Sequence, residues 1–136
     1  MIMKLFKNRF DKLSLLVLFI LIGCGRFPGF GGRDILPSEG PELVGRGVRF
    51  SVYSTEAEEV AIAGSFNNWS KSVDLLSLTD EKGLWEITIP LSPGRYEYKF
   101  VIDGEKWIPD PGNLKTVDDG FGGINSVVIV PRRKDE

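Results

Sequence analysis

Between Arg46 and Val130 apolar residues fall on every second position in short bursts, separated by turn-forming groups such as Ser92-Pro93-Gly94 and Asp103-Gly104. Side chains alternate across a strand with a period of two, so this pattern predicts half-buried β-strands, and no segment carries a long helical repeat. Val48, Phe50 and Val52 alternate with Arg49, Ser51 and Tyr53. Val60 and Ile62 form a second strand, Val73 to Leu78 a weaker third, and Trp85, Ile87 and Ile89 a fourth. Beyond Gly94, Tyr96, Tyr98, Phe100 and Ile102 line one face while Glu97, Lys99 and Val101 line the other; Val127 to Val130 closes the series. Six or seven strands at this spacing predict an all-β domain over residues 46–130, an immunoglobulin-like β-sandwich of two antiparallel sheets. A domain this small buries only about 60% of its unfolded surface, so the core needs most of its large apolar side chains. Trp85 obeys the alternation and is assigned to packing. Trp69 and Trp107 lie in turn contexts outside it, which marks them as candidates for function.

The N-terminus has a different organisation. Lys4, Lys7, Arg9 and Lys12 precede an apolar run from Leu13 to Ile22 that ends in small residues and the sole cysteine. Such a run is about half of the ~20 residues that cross a bilayer as a helix, but fits the core of a signal peptide. Leu21-Ile22-Gly23-Cys24 resembles the lipobox of bacterial lipoproteins, which implies a signal helix over residues 1–23, cleavage before Cys24 and lipidation of its thiol. Gly25 after the cysteine points to the outer membrane or cell surface of a bacterial envelope rather than the inner membrane. An uncleaved apolar anchor is the alternative. Residues 24–45 are rich in Gly and Pro without sustained periodicity and predict a flexible tether with a reach of roughly 25 Å. Residues 131–136 form a charged tail.

Composition excludes several chemistries. The absence of histidine removes the Ser-His-Asp triad, imidazole metal ligation and the usual near-neutral general base. The segment 1–23 holds four of the 17 basic and one of the 19 acidic residues, so the mature chain carries about five net negative charges at neutral pH. Such a surface suits neither nucleic acid nor anionic lipid headgroups. A hydrolase could draw only on Asp103, Asp110, Asp118 and Asp119, and all four are accounted for by turns; no catalytic residue, metal or cofactor is expected.

The segments Gly64-Ser65-Phe66-Asn67-Asn68-Trp69, Pro93 to Gly104 (PGRYEYKFVIDG), Trp107 with Asp110-Pro111, and Asn125 to Val130 (NSVVIV) resemble, in this order, the glycogen-binding type of carbohydrate-binding module. That family occurs in the β subunit of AMP-activated protein kinase and in branching and debranching enzymes. The resemblance implies binding of α-1,4-linked glucan, with Trp69 and Trp107 stacking on sugar rings and Lys99 bonding to hydroxyls. It implies that Asn125 serves as donor and acceptor, and that Phe121 stands in place of a leucine that pushes through the glucan helix. Gly123 replaces a threonine of the kinase module, and the turn Gly104-Glu105-Lys106-Trp107 is one residue longer than usual. Sugar chemistry agrees: a glucose ring offers a C–H face to an indole and a rim of hydroxyls to mixed donors and acceptors. For an exported chain the expected ligand is a maltodextrin, starch or glycogen fragment outside the cytoplasm.

Other roles remain open at each position. Trp69 or Trp107 could plug an end of the sandwich, Lys99 could be a solvated side chain, Asn125 a strand-entry residue and Phe121 an edge cap. A membrane-tethered module that contacts an envelope protein partner, without binding sugar, is the alternative for the whole chain.

Overall fold

The computed structural model describes residues 38–134. The expected signal helix, Cys24 and most of the tether lie outside them. The described chain forms nine strands: β1 (Glu42–Val44), β2 (Gly47–Tyr53), β3 (Val60–Gly64), β4 (Ser77–Leu78), β5 (Leu84–Pro90), β6 (Gly94–Ile102), β7 (Lys106–Ile108), β8 (Thr116–Asp118) and β9 (Ile124–Val130). All pair antiparallel. One sheet has the order β1-β2-β5-β4; the other has β3-β6-β9-β8 with β7 also on β6. The two sheets stack as a sandwich, as the alternation predicts.

The core joins the inward faces of both sheets: Val48, Phe50, Val52 and Trp85 from the first meet Ile62, Tyr98, Phe100 and Val128 from the second. Phe50 and Tyr98 meet edge to face with ring centroids 4.8 Å apart. Trp85 is buried and its indole N–H donates to the Ser54 carbonyl at 3.0 Å, so its assignment to packing holds. On β6 the alternation is kept to the residue, with Tyr98 and Phe100 fully buried inside and Lys99 on the opposite face.

Three features depart from the expectations. Residues 42–44, expected in the tether, pair with β2, and Ser38 donates its hydroxyl to the Ser51 carbonyl at 2.6 Å. The folded body therefore begins before residue 46; three residues in a Gly/Pro-rich run are too few to show a period. The strand expected over Val73 to Leu78 is divided between sheets. Leu75 bridges Ala61 on the edge of β3, whereas Ser77–Leu78 pairs with β5, so no single face persists long enough for clear alternation. Trp107 lies within strand β7 rather than in a turn.

Candidate functional site

The outer face of the second sheet is built on β6. Along it Arg95, Glu97, Lys99 and Val101 point away from the core. Ala61 and Ala63 of β3 lie opposite Val101 and Lys99. On the other edge β9 pairs with β6 from Gly94 to Tyr98, and β7 takes over from Phe100 to Ile102. Lys99 thus sits where the two partner strands part.

Trp69 reaches this face from the loop after β3. Asn67 organises that loop: its Oδ1 accepts from Gly64 N, while its Nδ2 donates to the Ile62 carbonyl at 2.9 Å and to Asp74 Oδ2 at 2.8 Å. Asn68 and Trp69 both take left-handed backbone conformations, with φ of 56° and 58°. Asn tolerates this; a bulky indole residue does so at a cost on the order of 1–3 kcal/mol. The Trp69 N–H donates to the Gly64 carbonyl at 2.9 Å, which helps to hold the turn. The indole folds back over Ala61, Ala63 and Val101, whose small side chains let it lie close to the sheet. This explains why β3 is buried on both faces. Trp69 is half-buried against the outer face of the sheet, not plugged into the end of the sandwich.

Trp107 arrives by a different route. Asp103 and Gly104 take φ of 52° and 71°, and Glu105 N donates to the Ile102 carbonyl, as in the turns that match strand twist. A strict two-residue loop would pair Ile102 with Glu105 and turn Trp107 to the face of Phe100, toward the core. The observed pairs are Ile102 with Lys106 and Val101 with Trp107. The additional turn residue therefore leaves Trp107 on the outer face, where it is 41% exposed. The two tryptophans share Val101 as a neighbour. Lys71 Nζ donates to the Gly104 carbonyl at 2.7 Å and ties the segment after Trp69 to the β6–β7 turn that leads into Trp107.

The polar residues are not free donors. Lys99 Nζ donates to Asp119 Oδ2 at 2.7 Å, and Asn125, buried in β9, donates its amide to Glu97 Oε2 at 3.0 Å. Hydrogen bonds from Arg95 and then Asn125 hold the Glu97 carboxyl below its ordinary range. Lys99, followed by the backbone N–H groups of Phe121 and Gly123, draws the Asp119 carboxyl down to about 2. Phe121 stands 96% exposed at the tip of the β8–β9 loop. The family resemblance names Trp69, Trp107, Lys99, Asn125 and Phe121 as ligand residues; the first four lie on the outer face of the second sheet, with Phe121 on the loop beside it. It does not name Glu97 or Asp119, which hold Asn125 and Lys99. The alternation already showed Glu97 beside Lys99, but nothing in a sequence pairs Asp119 with a lysine twenty residues away.

The four aspartates considered for catalysis have identifiable partners. Asp103 accepts from the N–H groups of Glu58 and Glu59, Asp118 from Gly120 N, and buried Asp110 from the Tyr98 hydroxyl and Gly112 N. Asp119 combines its turn role with the lysine contact.

A family model described as the glycogen recognition site of AMP-activated protein kinase matches residues 48–136. The chain belongs to this family. Among similar proteins, the chloroplast protein PTST homolog 2 of Arabidopsis thaliana is 34% identical over 79 residues, 58% of this chain and 14% of that one. The human 5'-AMP-activated protein kinase subunit beta-2 is 34% identical over 80 residues, 59% of this chain and 28% of the subunit. The 1,4-alpha-glucan branching enzyme GlgB of Nitrosomonas eutropha is 41% identical over 56 residues, 41% of this chain and 8% of the enzyme. The chain thus spans less than a third of the length of each of these relatives. What they share with it is the glycogen-recognition module.

Proposed function

We propose that the chain is a non-catalytic α-glucan-binding lipoprotein, held to a membrane of a bacterial envelope by acyl chains on Cys24. Trp69 and Trp107 stack on sugar rings, Lys99 and Asn125 meet hydroxyls, and Phe121 contacts a glucan long enough to reach it. The observation that supports this best is the convergence of both indoles around Val101, beside Lys99 and Asn125, in a chain of the glycogen-recognition family. Two stacked rings at about 0.5–1.5 kcal/mol each beyond their buried area, with polar contacts adding little after desolvation, give micromolar to millimolar affinity. Binding to a polymer then gains from multivalency. For the tether, the basic residues, the short apolar run and the cysteine after Leu21-Ile22-Gly23 carry the reading; several acyl chains suffice for stable anchoring.

The test is titration of the full chain, in a detergent without a sugar headgroup, with maltoheptaose while following tryptophan emission. A saturable response that Trp69→Ala and Trp107→Ala each weaken is expected. A folded parent without a response would leave a protein-docking module instead, and a response indifferent to both substitutions would put the sugar elsewhere. Replacing Cys24 by Ser is expected to remove the acyl mass and release the chain from the membrane fraction.

A further inference from the structure

Asp119 touches two separate elements. Its Oδ2 accepts from Lys99 Nζ on β6, while its Oδ1 accepts the backbone N–H of Phe121 at 2.8 Å and of Gly123 at 3.0 Å. Its own N–H donates to the Gly123 carbonyl at 3.0 Å. One carboxylate therefore closes the loop that carries Phe121 and fastens that loop to the sheet. The two side chains are 17% and 13% exposed, so the pair is sheltered although it lies on a ligand-facing surface.

Gly123 is the counterpart of this arrangement. Gly120 and Gly122 take φ of 80° and 85°, conformations that favour glycine, but Gly123 takes no such angle. Space is what position 123 lacks: a Cβ there would stand 2.6 Å from Asp119 Oδ2. Real side chains do not approach so closely, so a larger residue must displace the carboxylate oxygen to which Lys99 donates. The glycine that replaces threonine is thus explained by the aspartate four residues before it.

We infer that Asp119 is a positioning residue of the glucan site, with Gly123 as its matched partner: it presents Phe121 at the loop tip and fixes the Lys99 ammonium before sugar arrives. This rests on the glucan-binding reading. Ordering the loop in advance spares the ligand the entropy of ordering it. Phe121 projects from the tip of the β8–β9 loop, whereas Trp69 and Trp107 flank Val101 on the sheet itself. A short oligosaccharide on the indoles does not need the loop; a longer one does. Asp119 therefore sets a preference for longer glucan.

The experiment compares the full chain with Asp119→Ser, Gly123→Thr and the double variant, using calorimetry with maltoheptaose and with maltotriose, and amide exchange at Phe121 and Gly123. Each single substitution is expected to weaken maltoheptaose about fivefold and to leave maltotriose within about twofold. The double variant should lose no more than the worse single one, because both break the same contact. In Asp119→Ser the two amides should exchange faster than the shift in the thermal midpoint accounts for. Losses that multiply in the double variant, equal losses for both sugars, or unchanged amide exchange would each overturn the inference while the parent still binds. A parent that binds neither sugar overturns the glucan reading itself, and this inference with it.

Discussion

Strand β6 carries a polar network on each of its faces, and the two are built on opposite terms. Inside, the Tyr98 hydroxyl donates to Asp110 Oδ2 at 2.6 Å and accepts from Asn113 Nδ2 at 3.1 Å, while Ser126 Oγ accepts from Asp110 N. Burial, with the Asp110 charge second, raises the Tyr98 phenol above its ordinary range, and burial also raises the Asp110 carboxyl. One residue further along, the outward Lys99 is paired with an ionised Asp119. The inner network connects β6 to the β7–β8 connection and β9, with Tyr98, Asp110 and Ser126 all buried. The outer one is assembled from side chains that can exchange partners. A polar cluster inside a small sandwich thus specifies the fold, whereas its neighbour on the surface can be given over to recognition.

The sharpest way to break this comparison is to remove one member from each side. Replacing Asp110 by Ala leaves the buried Tyr98 hydroxyl and Gly112 N short of an acceptor, at an expected cost of about 3 kcal/mol. Replacing Glu97 by Gln on the outer face should change stability by less than about 1 kcal/mol, because its partner Arg95 is half exposed. Urea unfolding of both variants measures the contrast. Equal losses would mean that the outer network is as structural as the inner one.

The next contrast lies within the site itself. Trp69 covers Ala61, Ala63 and Val101, whereas Trp107 only faces its cross-strand neighbour and is 41% exposed. Trp69→Ala should therefore cost about 1–2 kcal/mol of stability as well as affinity, from apolar surface returned to water. Trp107→Ala should stay within about 0.5 kcal/mol of the parent in stability while weakening maltoheptaose roughly tenfold. Denaturation and sugar titration of the same two variants separate the effects. A large stability loss at Trp107 would place it with the core rather than the ligand.

These contrasts also show which parts of the molecule a sequence can express. The face of each residue on β2, β5 and β6 was legible because burial on one side imposes a period of two. The pairing of β1 was not, since Glu42, Leu43 and Val44 owe their strand to β2 and not to any pattern of their own. Trp69 and Trp107 stood out because they fell outside the alternation. The places they took depend on two local facts, the left-handed turn fixed by Asn67 and the additional residue after Asp103-Gly104. Ala61 and Ala63 did carry a signal: small residues on the outer face of an apolar strand mark where something flat lies against it. The Lys99–Asp119 contact joins positions twenty residues apart through the divergence of β9 from β7, and only the assembled sheet creates that opening.

The smallest expected effect distinguishes the two networks by the sign of their response to acid. An unfolded aspartate titrates near 3.9. Asp119 in the fold is lowered to about 2, so its contribution to stability is present above the unfolded value and is lost as the pH falls through about 2. Asp110 is raised by burial, so the fold favours its protonated form; that contribution is present below the unfolded value and is lost as the pH rises through the raised one. Relative to the parent, Asp119→Asn should therefore lose ground as the pH rises from 2 to 4, and Asp110→Asn should gain ground as the pH rises above 4. Urea midpoints of the three proteins across that range give both slopes. The amide resonances of Phe121 and Gly123 should move with a midpoint near 2, since both N–H groups donate to the titrating carboxylate. Midpoints near the unfolded value would show Asp119 to be free of Lys99, and the outer face would then be an ordinary solvated surface.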